Sequence, residues 1–262
     1  MLTLAQIAII WSTPAACADI QATVLRPKPY EVIQREGFVP AKAHENHPGG
    51  PALGFGTVHV EADFASDPQA VMDCRTVALA GAFGHGIEWT ASRTTRSGTR
   101  WSASIQVPAG GWYRLEGRWR QGDRVLGTAT MEPFGVGEVF LIAGQSYAAG
   151  WNDELTRVED PAGRVAAYDP KQTSWRIAHD PQPSDGRGGT IWPPMANALL
   201  PMVRVPIGLV NAAVGATASR QWMPKEPLFE NLVTAGSDVG RFRAVLWQQG
   251  ESDVIEKLNR FE

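Results

Sequence analysis

The sequence predicts a mixed protein, with an antiparallel β-sandwich over residues 19–133 and an α/β domain built on a parallel sheet over residues 134–262. Two observations carry that division. Upstream of Phe134 apolar and polar residues alternate with the period of two that half-buried strands require, and no helix-period segment of useful length interrupts them. Downstream the apolar residues gather into runs, Val139–Ala143, Ile207–Val214 and Ala244–Trp247, as strands buried on both faces under helices demand.

In the first region Val58, Val60 and Ala62 alternate with His59, Glu61 and Asp63, and Trp101, Ala103, Ile105 and Val107 repeat the pattern. Tyr113, Leu115, Gly117 and Trp119 interleave with arginines and Glu116; a Gln121-Gly122-Asp123-Arg124 turn then leads into a return strand from Val125 to Met131. Such a set of short strands reads as a sandwich. Phe134-Gly135-Val136-Gly137 reads as the joint between the domains. Beyond it, crossover helices are expected near Met195–Val203 and Glu226–Ser237, and the Pro- and Gly-rich segment from Asp160 to Pro194 reads as a long surface loop that shapes a site.

The N-terminus holds a short apolar stretch, Leu2 to Trp11, followed by Ala16-Cys17-Ala18 in an Ala-x-Ala pattern. Residues 1–18 therefore read as a signal peptide, too short to span a bilayer, and imply a secreted or periplasmic protein. A buried N-terminal strand is the alternative. Removal of residues 1–18 leaves Cys74 as an unpaired thiol, most simply a buried small hydrophobe, with no metal-ligand spacing.

Composition narrows the partners. The 262 residues are 44% hydrophobic and 19% charged, with a formal net charge of −3, the profile of a globular chain. No run of like charge favours nucleic acid or an anionic membrane. Ten tryptophans are present; their faces suit sugar rings, although packing is the default role for each.

Chemistry concentrates where the three apolar runs end. The first ends in Gly144-Gln145-Ser146, the second in Asn211-Ala212-Ala213-Val214-Gly215-Ala216-Thr217, and the third in Gln248-Gln249-Gly250-Glu251-Ser252-Asp253. Ligands of open α/β sheets bind at the C-terminal edges of the strands. Three such ends on one rim offer a serine nucleophile, backbone N–H donors at glycine and an amide side chain, the parts of an acyl-transfer site. Asp253, with Glu256 three residues on, reads as a helix cap. Asn211 borders the rim and reads either as a pocket residue or as a strand-end group that satisfies backbone atoms.

These blocks resemble the sialate O-acetylesterase-like branch of the SGNH (GDSL) hydrolases, which includes acetyl xylan esterases: Gly-Gln-Ser after a strand, a Val-Gly-Ala-Thr stretch leading to Trp222-Met223-Pro224, and Trp247-Gln248-Gln249-Gly250-Glu251-Ser252-Asp253. The resemblance covers residues 134–262 and implies a flavodoxin-like three-layer fold. It also implies hydrolysis of acetyl esters on carbohydrate without metal or cofactor. It makes Ser146 the nucleophile and one oxyanion donor through its own N–H, Gly215 a second backbone donor, and Gln249 the amide of the oxyanion hole. Glu251 becomes the carboxylate that either orients a histidine or bonds the site's backbone from below. Gln145, Tyr147, His179 and Asn211 are the candidates for the substrate pocket.

Three departures temper the resemblance. Tyr147 stands where the family has Asn, and Gly215-Ala216 where it has Gly-Gly. The family's base, a histidine in an Asp-x-x-His element, has no counterpart among His44, His47, His59, His85 and His179. His179, in the loop after the nucleophile, is the one candidate stand-in. A flavodoxin-like sheet has five strands in the order 2-1-3-4-5, and two further strand–helix units need roughly 60 residues. The expectation is therefore a truncated chain with little esterase activity alone; a carbohydrate-binding or degenerate member of the family is the alternative.

Overall fold

A computed structural model describes residues 22–37, 53–65, 69–91 and 93–258; the signal-peptide reading, Cys17, His44 and His47 lie outside them. The protein is a mixed α/β molecule, rich in sheet. Its strands are β1 (Thr23–Arg26), β2 (Val32–Gln34), β3 (Phe55–Asp63), β4 (Val71–Ala78), β5 (Ile87–Ala91), β6 (Thr95–Ser97), β7 (Arg100–Pro108), β8 (Trp112–Gln121), β9 (Arg124–Gly144), β10 (Val165–Asp169), β11 (Ser174–Ile177), β12 (Ile207–Asn211) and β13 (Ala244–Gln248). The helices are α1 (Ser146–Ala149), α2 (Trp192–Val203), α3 (Pro227–Val239) and α4 (Glu251–Leu258), with a 3₁₀ turn over Ser219–Trp222. Among the described residues no helix is long and apolar enough to cross a membrane.

One sheet runs β1-β3-β7-β6 and is antiparallel. It faces the β4–β8–β9 layer across a single core in which Val58, Val60 and Trp101 meet Met72, Cys74, Leu115 and Trp119. Period-two alternation produced this: in β7, and in β8 from Tyr113 to Trp119, every second residue is buried and its neighbours are half-buried or exposed. Cys74 is fully buried here, and that burial, with the charge of Asp73 beside it, pushes its thiol up to about 12.

The second sheet contains both halves of the chain. Its order is β11-β10-β12-β9-β8-β4-β5, with β2 and β13 also paired to β9. The joint expected at Phe134–Gly137 is not a linker, because β9 runs unbroken for 21 residues through it. Its first part pairs antiparallel with β8, and residues 138–144 pair parallel with β12 and β13. The glycines there provide clearance: a Cβ on Gly137 would lie 1.8 Å from the Pro206 carbonyl oxygen, and one on Gly135 would lie 2.7 Å from the Trp112 ring.

Helices cover both faces of the parallel part. Phe140, Ile142, Ile207 and Leu209 pack toward Ala196 and Leu200 of α2, while Val139, Leu141 and Val210 pack toward Ala235 of α3. Both expected helices are present, and both begin with proline in the first turn. The segment from Asp160 to Pro194 differs from its reading as a loop. Val165–Asp169 joins the sheet parallel to β12 and returns antiparallel as Ser174–Ile177, burying Val165, Ala166, Tyr168 and Trp175. The remainder, after Ile177, does run as irregular backbone to the start of α2.

Where β9 changes partners, a buried polar cluster locks the seam. Glu138 accepts hydrogen bonds from Gln34 Nε2 (2.9 Å), Arg35 Nε (2.8 Å) and Arg243 Nε (2.7 Å), and Gln34 Oε1 accepts from the Val139 N–H. Burial alone would raise the Glu138 pKa. The hydrogen bonds from Arg243, Gln34 and Arg35 outweigh it and hold the carboxyl below its ordinary value.

Candidate active site

At the far end of β9 the chain must turn beside β13. Gly144 has φ +125°, and a Cβ there would fall 1.8 Å from the Gln248 carbonyl oxygen, so only glycine fits. Gln145 N–H then donates to that same carbonyl (2.9 Å), and Ser146 opens the single turn of α1, which closes on Gly150 in the left-handed region. Ser146 and the exposed Tyr147 line a pocket of about 620 Å³ with Trp151, Asn152, Thr190 and Pro194. That volume is in the range of small-molecule sites.

Beneath the serine lies Gln145, 2% exposed. Its Nε2 donates to Ser146 Oγ (3.4 Å), and its Oε1 accepts from Gln249 Nε2 (2.9 Å) and from the Ser252 N–H of α4 (3.1 Å). Gln145 is therefore a support that ties Ser146, the third block and α4 together; it does not line the pocket. Gln249 is likewise committed. Its Nε2 also donates to the Thr217 carbonyl and to Asp253 Oδ2 (3.2 Å), which spends the amide inside the rim and differs from its expected role as an oxyanion donor.

The second block approaches through Val214 N–H, which donates to the Gly144 carbonyl (3.0 Å). Gly215 N–H, the other expected oxyanion donor, is taken by Asp185 Oδ2 (3.0 Å), which also accepts from Trp151 Nε1 (3.1 Å). Ala216 follows at φ +57°, the left-handed conformation that glycine adopts without strain. Asn211 proves to be a strand-end group: its Nδ2 donates to the Ala148 carbonyl and its Oδ1 accepts from the Ala213 N–H.

The third block corrects one reading outright. Asp253 is not the N-cap of α4. It lies within the first turn of α4, where its Oδ1 accepts from the Ser219 N–H and hydroxyl (both 2.8 Å), while Glu256 pairs with Arg220. The bonds from Ser219, backbone first, hold the Asp253 carboxyl below its ordinary value. Glu251 starts α4, exposed, and accepts from Gln248 Nε2 (3.0 Å); it does not bond the site's backbone.

His179 is not a stand-in base. Its Nδ1 accepts from the Val158 N–H (3.0 Å), and the ring lines a separate cavity with Arg157, Glu159 and Asp160. Desolvation and the charges of Arg157 and Arg176 lower its pKa. Among the described residues no histidine lines the Ser146 pocket. The sequence reading passed over its neighbour, Asp180, which is buried and accepts from Thr156 and Thr190, both by N–H and by hydroxyl, fixing two walls of that pocket. The Asp-Pro dipeptide was the only hint. Trp151 and Asp185 were also missed as site residues, because neither belongs to a strand-end block.

A scan against family models matches residues 136–261 to "Carbohydrate esterase, sialic acid-specific acetylesterase". A curated relative, a probable carbohydrate esterase of Arabidopsis thaliana, is 29% identical over 150 residues, 47% of this chain and 57% of that protein. The solved structure of that Arabidopsis protein aligns with a TM-score of 0.39 at 26% identity, covering 45% of this chain and 58% of its own. A carbohydrate acetylesterase from Xanthomonas citri aligns with a TM-score of 0.47 at 18% identity, covering 86% of this chain and 50% of its own. The chain thus spans less than two thirds of the length of each. Residues 136–261 of this chain are similar to the carbohydrate esterases described as sialic acid-specific acetylesterases.

Proposed function

We propose that residues 136–261 form the acyl-transfer part of a serine esterase that removes O-acetyl groups from carbohydrate, with Ser146 as nucleophile. The observation that carries this is the position of Ser146: it follows directly on β9, at the mouth of a 620 Å³ pocket, with its Oγ reached by a buried glutamine that also anchors α4. Helices on both faces of the parallel strands support an SGNH-type three-layer arrangement. Tyr147 and Trp151 give the pocket aromatic surface for a sugar ring. Acetyl groups on xylan and on sialic acid both suit this chemistry. The Ala-x-Ala segment supports a secreted or periplasmic setting.

A serine hydroxyl without a base is a weak nucleophile at neutral pH. With His179 turned elsewhere, the 262-residue chain is proposed to turn over acetyl esters slowly. The absence of a histidine from the pocket among the described residues and the occupied Gly215 amide favour a second reading, a glycan-binding member that does no chemistry. Saturation-transfer NMR on Ser146→Ala with acetylated xylo-oligosaccharide, O-acetylated sialic acid and their deacetylated forms separates the two. The esterase reading expects the acetyl methyl protons to receive the strongest transfer and the deacetylated sugars to bind more weakly. Equal transfer from both forms, centred on ring protons, would favour the binding protein.

A further inference from the structure

The Asp185 side chain is chemically acetate on a tether, a CH₂–COO⁻ group. Its carboxylate Oδ2 lies 3.0 Å from the Gly215 amide nitrogen and 3.1 Å from Trp151 Nε1. Charge-assisted bonds from a backbone N–H to a carboxylate are the strong kind, and they resemble what an oxyanion hole offers a developing negative charge. We propose that Asp185 is a tethered mimic of the acetate product: it fills the Gly215 donor in the resting state, and an incoming acetyl ester or free acetate must displace it. This deepens the esterase reading and rests on it for the identity of the displacing ligand.

The local structure is built to deliver that carboxylate. Residues 184–189 lie as a strap along the segment that follows the nucleophile. Gly186 N–H donates to the Ala149 carbonyl (2.7 Å), Gly188 N–H to Gly150 (2.7 Å), and Gly189 and Asn152 exchange a pair of bonds. Ser184 Oγ adds a bond to the Ala149 carbonyl. A Cβ on Gly186, Gly188 or Gly189 would come within 2.0, 2.3 or 1.6 Å of backbone oxygens, so the approach depends on glycine at each. None of these bonds involves the Asp185 side chain, which is exposed and can swing into water while the strap stays in place. A Cβ on Gly215 would come within 2.6 Å of Trp151 Nε1, so Trp151, which lines the Ser146 pocket, also packs on Gly215, while Asp185 lines the neighbouring cavity beside Val214.

The test reads the Gly215 amide directly, by ¹⁵N–¹H NMR of the 262-residue protein, and needs no turnover. The wild-type amide proton should resonate downfield, and Asp185→Ala should move it upfield. Sodium acetate should then produce a saturable downfield shift of this amide in Asp185→Ala and none in the wild type at the same concentrations. Trp151→Phe, which removes one of the two donors to Asp185 and leaves the strap intact, should let acetate compete at concentrations between these extremes. An amide unmoved by Asp185→Ala, or an acetate response that is equal in both proteins or absent from both, would overturn the proposal. Failure of the esterase reading would show separately, as loss of acetyl-specific saturation transfer, while the Gly215 shift on Asp185→Ala would persist.

Discussion

The two ends of the parallel part of β9 hold polar clusters of similar size and opposite character. At the N-terminal end Glu138 is buried, and its carboxylate is answered by Gln34, Arg35 and Arg243. At the C-terminal end Gln145 is equally buried, yet it passes its bonds outward to a serine hydroxyl on a pocket and to a helix whose first residue is exposed. One end closes on itself and the other opens to ligand. The difference follows from strand polarity: the C-terminal edges of parallel strands give rise to the loops that ligands reach, while the opposite edge here is sealed against the antiparallel layers.

The largest test of that contrast is Glu138→Gln. Removing the charge leaves Arg35 and Arg243 facing a neutral amide in a buried site, and loss of one partner from such a cluster costs about 3–5 kcal/mol. Urea unfolding should show the loss, with binding of acetylated sugar to the remaining folded protein unchanged. The pH dependence has a definite sign. Because the folded-state pKa of Glu138 lies below its ordinary value of 4.5, its stabilisation is present above that value and fades as pH falls through the lowered one. Glu138→Gln should therefore lose stability most at neutral pH and converge toward the wild type in acid. A rim variant should not show this convergence.

Gln145→Ala should show the reverse balance. It breaks the bonds to Ser146, Gln249 and Ser252 and leaves buried partners unsatisfied, at about 1–3 kcal/mol. Its larger effect should fall on the site, as loss of the acetyl-specific saturation transfer. A variant that unfolds as readily as Glu138→Gln but binds normally would show that the rim, too, is only structural. The smallest effect has the opposite sign. Ala216 is held at φ +57°, and Ala216→Gly should relieve that strain and raise stability by about 1 kcal/mol in thermal unfolding.

Much of this was legible in the sequence. Alternation in β3, β7 and β8 and the apolar runs of β9, β12 and β13 set the fold class, and Gly144-Gln145-Ser146 marked the rim. What stayed hidden depends on close approach between distant segments. The glycines at 135 and 137 read as a hinge, although they make room for Trp112 and Pro206 inside an unbroken strand. Val165–Asp169 is a short run amid prolines and glycines, and only its pairing with β12 makes it a strand. Strand-end blocks also named the right rim without showing which groups bond one another. Gln249 and Asp253 therefore read as an oxyanion donor and a cap, when they bond each other and Gln145, Thr217 and Ser219.

The central proposal, that Ser146 is a nucleophile whose pocket holds no base among the described residues, is tested most directly by acetate release from an acetylated xylo-oligosaccharide with and without added imidazole. Removing one member of a serine triad lowers turnover by about 10⁴-fold or more. The wild-type chain should accordingly be slow, and imidazole should accelerate it well beyond the increment seen with Ser146→Ala. Equal imidazole increments in the two proteins, or fast Ser146-dependent release without imidazole, would contradict the account.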